Sequence, residues 1–315
     1  MPPRRRCGAT STASSRRLPN PCDRSTGVEG AAVIPAPFRY VRPSTLAQAL
    51  ELLNAEAAAC VLAGGQSLLT QLKSRAVTPD LVVDLGALDE LREIRSRPGT
   101  VTIGAMVTFA RLAKNPVVRE SVPVLAQTVA HVADVQVRNR GTLGGSLSYA
   151  DPSGDLAGAV IAAGGTVRLV SADGERELPA EQLYAGPFRT VLAPGELLVD
   201  VTMPRHDTAH TAYYAVARRP ADPTLAGVAL VATVDADRIT DIGVGLVGLG
   251  DRPLAAAATA RALRGQPLGG AEAGTALADE IAPLPSTAGQ AEYRRAVALT
   301  ALERALRQLT QEAAS

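Results

Sequence analysis

The sequence has only three cysteines and three histidines, residue types that metal centres and disulfide frameworks need in larger numbers. Cys7, Cys22 and Cys60 form no CxxC pair and do not supply the set of thiolates that an iron–sulfur cluster usually takes. Their small number also argues against disulfides, so we expect a cytoplasmic protein. The histidines are scattered along the chain, and we expect no metal site on it.

A strong charge of one sign and a long apolar run are also missing. Lysines and arginines number 32 against 31 acidic residues, so neither a nucleic-acid-binding surface nor a polybasic membrane anchor is indicated. No apolar stretch approaches the roughly 20 residues that a membrane-spanning helix needs. We therefore expect no nucleic-acid partner and no integral membrane segment, and we look for partners among proteins and small molecules.

The first 33 residues differ in composition from the rest. Arginines alternate there with Ser, Thr, Pro and Gly without an apolar period, and we predict a disordered N-terminal extension over residues 1–33. A transit peptide is one interpretation, although the segment has no clear amphipathic helix. We favour another, an upstream stretch translated from an early start, with the true start near Val33.

From Ile34 onwards, short strands alternate with helices over a length that suffices for two or three compact domains. Ser44 or Thr45 is predicted to cap a first helix over 46–53. A glycine pair separates strand 60–63 from a helix that ends near Arg75, and the run 138–155, rich in glycine and polar residues, is predicted to be a loop. Further strands are predicted at 81–85, 101–103, 167–170, 212–217, 227–234 and 242–249, and further helices at 109–112, 122–135 and 156–163, from 254, from 271, and over 290–309.

The first candidate site is Ala63–Gly64–Gly65–Gln66–Ser67, between that strand and that helix. Paired glycines permit positive φ and a close approach of the backbone, so successive N–H groups can converge on an anion. Ser67 is predicted to cap the following helix, whose positive end favours a phosphate or pyrophosphate. Taken alone, the pattern is also compatible with a simple tight turn.

The second candidate site is Thr142–Leu143–Gly144–Gly145–Ser146, with a further polar run at 151–155. A loop with so many hydroxyls and backbone donors suits a ligand with many hydrogen-bonding groups. Asp155 is placed to accept hydrogen bonds from ribityl or ribose hydroxyls. The alternative is a solvated loop in which Asp155 caps the next helix.

Together the two sites resemble a known family. ACVLAGGQSLLTQLKSR (59–75) and VRNRGTLGGSLSYADPSGDL (137–156) resemble the two FAD signatures of the flavoprotein subunits of carbon monoxide dehydrogenase and related molybdenum hydroxylases. IPAPFRYVRPSTLAQALELL near the start, VTIGAMVT (101–108) and GPFRTVLAPGELLVDVTMP (186–204) add to the agreement, which extends from Ile34 to nearly the end. Several motifs in the right order are more specific than either glycine pair.

The resemblance implies a fold and a set of cofactor contacts. The fold is α+β: a two-subdomain FAD-binding fold of the vanillyl-alcohol-oxidase (PCMH) type over 34–207, with subdomains of about 34–84 and 85–207, followed by a C-terminal α+β domain over 211–315. It is not a Rossmann fold, and no GxGxxG opens the first helix. The implied contacts are Ala63, Gly64, Gly65, Gln66 and Ser67 around the pyrophosphate, Gly104 close by, and Thr142, Leu143, Gly144, Gly145, Ser146 and the carboxylate of Asp155.

The resemblance also implies a function. FAD would be the cofactor of this chain and would receive electrons from [2Fe–2S] clusters on a small partner subunit and pass them to an external acceptor. A large partner subunit with the molybdenum-pterin cofactor would oxidise the substrate, as in carbon monoxide, xanthine or aldehyde dehydrogenases, within a dimer of heterotrimers. No catalytic acid or base is expected on this chain. The alternatives are a stand-alone FAD-dependent oxidase or dehydrogenase of the same superfamily, and a non-redox binding protein whose loops no longer hold flavin.

Two positions depart from the pattern of that family. Ser146 stands where relatives often have Asn, which changes the donors offered to the cofactor. Pro223 stands where many relatives have an aromatic residue, so a cover for the flavin ring would have to come from Tyr149, Tyr213 or Tyr214.

Overall fold

The computed structural model describes residues 34–219, 221–268, 272–282 and 291–313, so the predicted N-terminal extension lies outside the described residues. The strands are β1 (Arg39–Val41), β2 (Ala59–Leu62), β3 (Leu81–Asp84), β4 (Ile94–Arg97), β5 (Thr100–Gly104), β6 (Thr166–Ser171), β7 (Gly174–Pro179), β8 (Tyr184–Gly186), β9 (Arg189–Thr190), β10 (Leu197–Pro204), β11 (His210–Val216), β12 (Ala226–Asp235), β13 (Arg238–Val247) and β14 (Leu254–Ala255). The helices are α1 (Leu46–Ala55), α2 (Leu68–Lys73), α3 (Phe109–Lys114), α4 (Pro116–Ser121), α5 (Pro123–His131), α6 (Val135–Arg140), α7 (Leu143–Tyr149), α8 (Asp155–Ala162), α9 (Ala257–Leu263), α10 (Gly274–Glu280) and α11 (Ala291–Ala313).

The N-terminal unit is a small parallel sheet in the order β1–β3–β2. Parallel strands need crossover connections, and α1 and α2 lie on them. Thr45 caps α1, as predicted, because its hydroxyl oxygen accepts a hydrogen bond from the Gln48 N–H at 3.3 Å. Leu62 at the end of β2 pairs with Asp84 at the end of β3, so the first glycine pair and Asp84 lie at the same carboxyl edge of the sheet.

The second unit is an antiparallel sheet in the order β4–β5–β10–β6–β7. Helices α4 and α7 contact this sheet, and α3, α5, α7 and α8 share one buried cluster with it. Its side chains form the largest buried cluster of the described residues, and the leucines at its centre are fully buried because both the sheet and the helices cover them. These central leucines are Leu112, Leu125, Leu143, Leu147, Leu156 and Leu169.

The C-terminal unit is an antiparallel sheet in the order β11–β12–β13–β14. Helix α11 covers one face with an apolar stripe at helical spacing, which includes Ala298, Ala301, Leu302 and Ala305. Helix α8 of the second unit packs against β12 and β13. The third unit therefore shares a helix with the second, and the α+β fold predicted from the sequence is confirmed.

The contact between α8 and β13 is made backbone against backbone. A Cβ placed on Gly245 would overlap the carbonyl oxygen of Gly158, and one placed on Gly243 would overlap that of Ala162. Two glycines in alternate positions of one strand let the helix lie closer to the sheet than any side chain would allow. We call this contact the α8–β13 seam.

The prediction of a loop over residues 138–155 is wrong for most of this segment. It contains the end of α6 and all of α7, and only residues 150–154 link α7 to α8 without helix. Glycine pairs usually interrupt helices. Here Thr142 caps α7 by accepting from the Gly145 N–H at 3.2 Å, and Gly144 is buried against Ala105, so tertiary packing outweighs the local preference.

Other boundaries also need correction. Ser67 does not cap α2 with its side chain, because its own backbone is helical (φ −103°, ψ −52°) and the first turn already begins at Gly65, whose carbonyl accepts from the Leu69 N–H at 3.1 Å. The helix predicted over 122–135 is divided by Ala133, which has φ of 43°. Leu254 begins a short strand and not a helix. The predicted starting residues 271 and 290 of the last two helices lie outside the described residues.

None of the helices in the described ranges is long and apolar enough to cross a bilayer.

One ion pair of the second unit makes stability depend on pH. Arg176 on β7 donates to both carboxylate oxygens of Glu196 at 2.7 Å, and the Ala193 N–H donates to the same group at 2.6 Å. The hydrogen bonds from Arg176, with a smaller contribution from Ala193, lower the pKa of Glu196. A carboxyl with a lowered pKa in the folded state contributes stability that is present above its unfolded pKa of about 4.3 and is lost as the pH falls through the folded value.

We expect Glu196→Gln to lower the free energy of unfolding at neutral pH by about 1 kcal/mol, because the pair is partly exposed. The difference from the wild type should shrink as the pH falls below about 4. Thermal unfolding of both proteins at pH 7 and pH 3.5 measures this difference in stability. Glu303→Gln, which removes an exposed ion pair with Arg307 on α11, serves as the control and should change little at either pH. If Glu196→Gln differed from the wild type by the same amount at pH 7 and pH 3.5, the ion pair with Arg176 would not be the source of the pH dependence.

Candidate functional site

The two glycine motifs, which begin 79 positions apart at Ala63 and Thr142, lie directly against each other. A Cβ on Gly64 would overlap the carbonyl oxygen of Arg140 and lie 3.0 Å from the Cα of Gly141. A Cβ on Gly145 would lie 3.4 Å from the Cβ of Ala63. The sequence alone was also compatible with a simple tight turn at the first motif. In the structure, Gly64 of this motif also allows the close approach of the Arg140 backbone.

A third segment, residues 104–108 after β5, joins the second motif. The Gly144 N–H donates to the Ala105 carbonyl at 2.8 Å and the Leu143 N–H donates to the Val107 carbonyl at 3.0 Å. A Cβ on Gly144 would overlap Ala105, so glycine is required here for a close approach as well. Gly104 stands at the start of this segment, where its N–H donates to the Glu93 carbonyl at 2.8 Å.

The junction of these segments opens into a cleft of about 290 Å³ that is rich in arginine. Its walls combine both motifs with residues that sequence reasoning missed, namely Arg42, Asp84, Gly86, Arg92, Met106, Thr108, Asn139 and Arg140, beside Ala63 and Thr142. We call this space the arginine cleft.

The cleft has an excess of positive charge. Its carboxylate, Asp84, already accepts hydrogen bonds from the Tyr40 hydroxyl and from the Gly86 N–H, the latter at 2.7 Å. Arg92 donates to the Gly86 carbonyl at 3.1 Å. Within the described residues, the guanidinium groups of Arg42 and Arg140 form no hydrogen bond or salt bridge, so both remain available to an anion.

Asp155 does not cap α8, contrary to one of the two interpretations of the sequence. Gly154 occupies the cap position, and Asp155 is the first helical residue. Its Oδ1 accepts from the Tyr213 hydroxyl at 2.5 Å and from the Thr224 hydroxyl at 2.6 Å. Burial raises the pKa of Asp155, and these two hydrogen bonds oppose the rise. Its Oδ2 has no hydrogen bond among the described residues.

The remaining residues of the two motifs lie in different environments. Leu143 is fully buried in the core, so any contact it makes with a ligand comes from its main chain. Ser146 is half-buried on α7, and its N–H donates to the Thr142 carbonyl at 3.0 Å. Gly65 has φ of 80°, a conformation that favours glycine, and Gln66 is exposed.

The three tyrosines considered as a flavin cover differ in accessibility. Tyr213 is 2% exposed and holds Asp155, so its ring faces no opening. Tyr214 accepts from Arg304 at 2.6 Å, with the guanidinium 5.4 Å from its ring centre. Tyr149, at the end of α7, is half-buried and packs edge-on against Phe188, with ring centres 5.2 Å apart. Of the three, Tyr149 has the position nearest to the second motif.

These features suit FAD. A diphosphate needs backbone donors and unpaired cations, which the Ala63–Ser67 motif and the arginine cleft offer together. Hydroxyl groups of a sugar or ribityl chain need an acceptor, and Oδ2 of Asp155 is one. No group of three or more His, Cys, Asp and Glu side chains with metal-binding geometry occurs in the part of the chain that the structure describes.

Comparison with known proteins gives a consistent result. A family model described as the FAD binding domain in molybdopterin dehydrogenase matches residues 36–206, and one described as the CO dehydrogenase flavoprotein C-terminal domain matches residues 211–309. The glyceraldehyde dehydrogenase medium chain of Sulfolobus acidocaldarius is 34% identical, over 84% of this chain and 95% of that protein.

Two further relatives are carbon monoxide dehydrogenase proteins. The medium chain from Afipia carboxidovorans is 34% identical, over 87% of this chain and 97% of that protein. The solved carbon monoxide dehydrogenase of Hydrogenophaga pseudoflava superposes with a TM-score of 0.85 at 32% identity, over 89% of this chain and 99% of that one.

Proposed function

This chain belongs to the family of FAD-binding subunits of molybdenum hydroxylases, and from that premise we propose that it passes electrons from iron–sulfur clusters on a partner subunit to an external acceptor. The family consists of oxidoreductase subunits, and FAD is the cofactor of its FAD-binding domain. The direction of electron flow and the partners are our proposal.

The observation that carries this proposal is the packing of the two glycine motifs around the arginine cleft. Gly64 against Arg140, and Gly144 against Ala105, bring both motifs to the edge of a cleft that holds two unpaired guanidinium groups. A nucleotide diphosphate is the ligand whose charge and shape match such a surface. We place it between the Ala63–Ser67 motif and the cleft.

Bound FAD supplies the redox chemistry, and the residues of this chain bind it and orient it. Arg42 and Arg140 would neutralise the diphosphate, while N–H groups of the Ala63–Ser67 motif would donate to its oxygens. The N–H groups of the second motif from Leu143 to Ser146 already donate within the chain and hold that motif in place. Oδ2 of Asp155 accepts from a hydroxyl of the ribityl chain, and the hydrogen bonds from Tyr213 and Thr224 hold that carboxylate in place.

The partners follow from the same family. Iron–sulfur clusters require thiolates, and the three cysteines of the sequence, of which Cys60 is buried, do not provide a set. We therefore place the [2Fe–2S] clusters on a small partner subunit and the molybdenum-pterin cofactor on a large one, within a dimer of heterotrimers. The remaining residues of the two motifs, from Ala63 to Ser67 and from Thr142 to Ser146, with Gly104, complete the proposed cofactor site.

Purification through a tag on this chain, followed by an absorption spectrum and a gel, tests the proposal. A flavin spectrum together with a large and a small iron–sulfur subunit would support it. Flavin without partners would indicate a stand-alone FAD-dependent oxidase. A protein that stays colourless after addition of FAD would contradict the proposed cofactor site itself.

The arginine cleft gives a sharper test. We expect Arg42→Gln and Arg140→Gln each to weaken FAD binding about tenfold, and the double variant about 100-fold, because each removes a charged donor to the diphosphate. Riboflavin, which has no phosphate, should bind all variants equally. Flavin fluorescence titrations with both ligands measure this, and FAD affinity of the wild type should fall with ionic strength more steeply than that of the double variant.

Arg307→Gln is the matched control for these variants, since it removes an exposed guanidinium on α11. It should leave FAD and riboflavin binding unchanged. A double variant whose FAD affinity stays within about twofold of the wild type would contradict the placement of the diphosphate in the arginine cleft.

A further inference from the structure

A guanidinium group lies buried on the inner side of α11. Arg294 is 6% exposed and stands on the apolar stripe of this helix, in line with Val297, Ala298 and Ala301. The helical spacing of the stripe predicts an apolar residue at this position. Burial disfavours the charged form and lowers the pKa of Arg294. The cost of placing a charge here is offset only if its N–H groups find acceptors.

The guanidinium group joins the ends of two neighbouring strands. Its Nε and Nη2 atoms both donate to the Leu225 carbonyl at 3.2 Å, directly before β12. Nη2 also donates to the Gly248 carbonyl, directly after β13. Gly248 has φ of 73°, and a Cβ there would lie 2.7 Å from the Leu225 carbonyl oxygen, so glycine is needed for the two strand ends to lie this close. The planar fork of arginine serves both carbonyls at once.

Both strand ends lead to Asp155. Thr224, the residue before the first of these carbonyls, donates from its hydroxyl to Oδ1 of Asp155 at 2.6 Å. The Gly248 N–H donates to the Pro152 carbonyl at 2.7 Å, which holds the link that runs from α7 into α8. Arg294 therefore fixes the backbone that carries one partner of Asp155 and the backbone that leads into the helix of Asp155 itself.

We propose that Arg294 is a positioning residue for Asp155 and, through it, for the cofactor. The inference rests on the proposed function, in which Oδ2 of Asp155 accepts from a hydroxyl of the ribityl chain. A misplacement of about 1 Å is enough to lose most of such a contact. By holding the two strand ends together, Arg294 sets where that oxygen stands. Helix α11 of the C-terminal unit thereby contributes to the geometry of the cofactor site.

A double-mutant cycle on the full-length chain tests this role. Arg294→Met removes the hydrogen bonds and keeps a long apolar side chain, and Asp155→Ala removes the carboxylate. Each should weaken FAD binding about tenfold in a flavin fluorescence titration. The double variant should also be weakened about tenfold, because Arg294 acts through a group that Asp155→Ala has already removed. Riboflavin shares the ribityl chain and should show the same pattern, whereas the arginine cleft variants spare riboflavin.

Two further variants separate positioning from general stability. Arg294→Lys keeps a positive charge at this position but has no planar fork, so it should weaken FAD binding about threefold. It should have no effect in the Asp155→Ala background, and it replaces Arg294→Met in the cycle if that variant does not fold. Arg295→Met removes an exposed guanidinium from the same helix and should leave FAD binding unchanged.

The outcomes are distinguishable. Additive losses, with the double variant weakened about 100-fold, would show that Arg294 acts independently of Asp155 and would overturn the proposal. An Arg294→Met or Asp155→Ala chain that folds and binds FAD as the wild type does would overturn it as well. A wild-type chain that binds no FAD would instead refute the proposed function.

Discussion

Replacement of Gly64 by alanine is expected to weaken FAD binding by about 100-fold or more and to yield a protein that is purified without flavin. The added Cβ would overlap the carbonyl oxygen of Arg140, which is a backbone atom and cannot rotate away. Either the first motif or the segment that carries Arg140 must shift, and each contributes a donor to the proposed diphosphate position, the first motif through its N–H groups and the segment through the Arg140 guanidinium. A shift of about 1 Å at each of two charged hydrogen bonds is enough for an effect of this size.

Flavin content after purification and a fluorescence titration with FAD measure the effect. Gly274→Ala is a matched control because the same methyl group, added at the first residue of α10, meets no atom closer than 3.7 Å. The control should retain flavin at the level of the wild type. Full flavin occupancy in Gly64→Ala would show that the contact between the two motifs is not needed for cofactor binding.

Replacement of Gly245 by alanine is expected to give the largest loss of stability, about 3 kcal/mol or more. The new methyl group would overlap the carbonyl of Gly158 in the α8–β13 seam, where both partners are backbone. The strand and the helix must then separate, and seven of the eight residues of α8 are buried. Separation would therefore expose apolar surface on both units.

Thermal unfolding measures this loss, with an expected decrease in Tm of about 5 °C or more for a chain of this size. Gly274→Ala again serves as the control, and should leave Tm unchanged or slightly higher, since alanine is the better helix former. A Tm for Gly245→Ala within about 1 °C of the wild type would mean that the seam relaxes without cost. In that event the close backbone contact is not a determinant of stability.

Local sequence signals predicted the parts of the site that are local in the chain. The strand, glycine pair and helix over 59–75 follow from the apolar run before Gly64 and the helical spacing after it, and the structure confirms them as β2 and α2. The same reasoning failed over 138–155. Paired glycines favour a loop in isolation, whereas here Gly144 is buried against Ala105 and the helix continues through it.

The rest of the site depends on contacts between distant residues. Arg42 and Arg140 are almost one hundred positions apart; each lies in a motif that the resemblance covers, yet local sequence did not single out either one as a cofactor contact. The partners of Asp155 are 58 and 69 positions away, at Tyr213 and Thr224. Local patterns identified the glycine motifs, the family resemblance gave them a cofactor, and the folded chain was needed to find the charges around them.

The α8–β13 seam has a consequence for how this kind of chain can be cut and recombined. The two matched regions, 36–206 and 211–309, look like consecutive modules in the sequence. At Gly243 and Gly245 the seam brings backbone against backbone, so a foreign C-terminal module would need glycines at the same two strand positions to dock equally closely. A fragment ending near residue 206 would leave α8, which is almost entirely apolar, facing water and prone to self-association. Shuffling at the 207–211 linker is therefore restricted to C-terminal modules that carry this glycine pair.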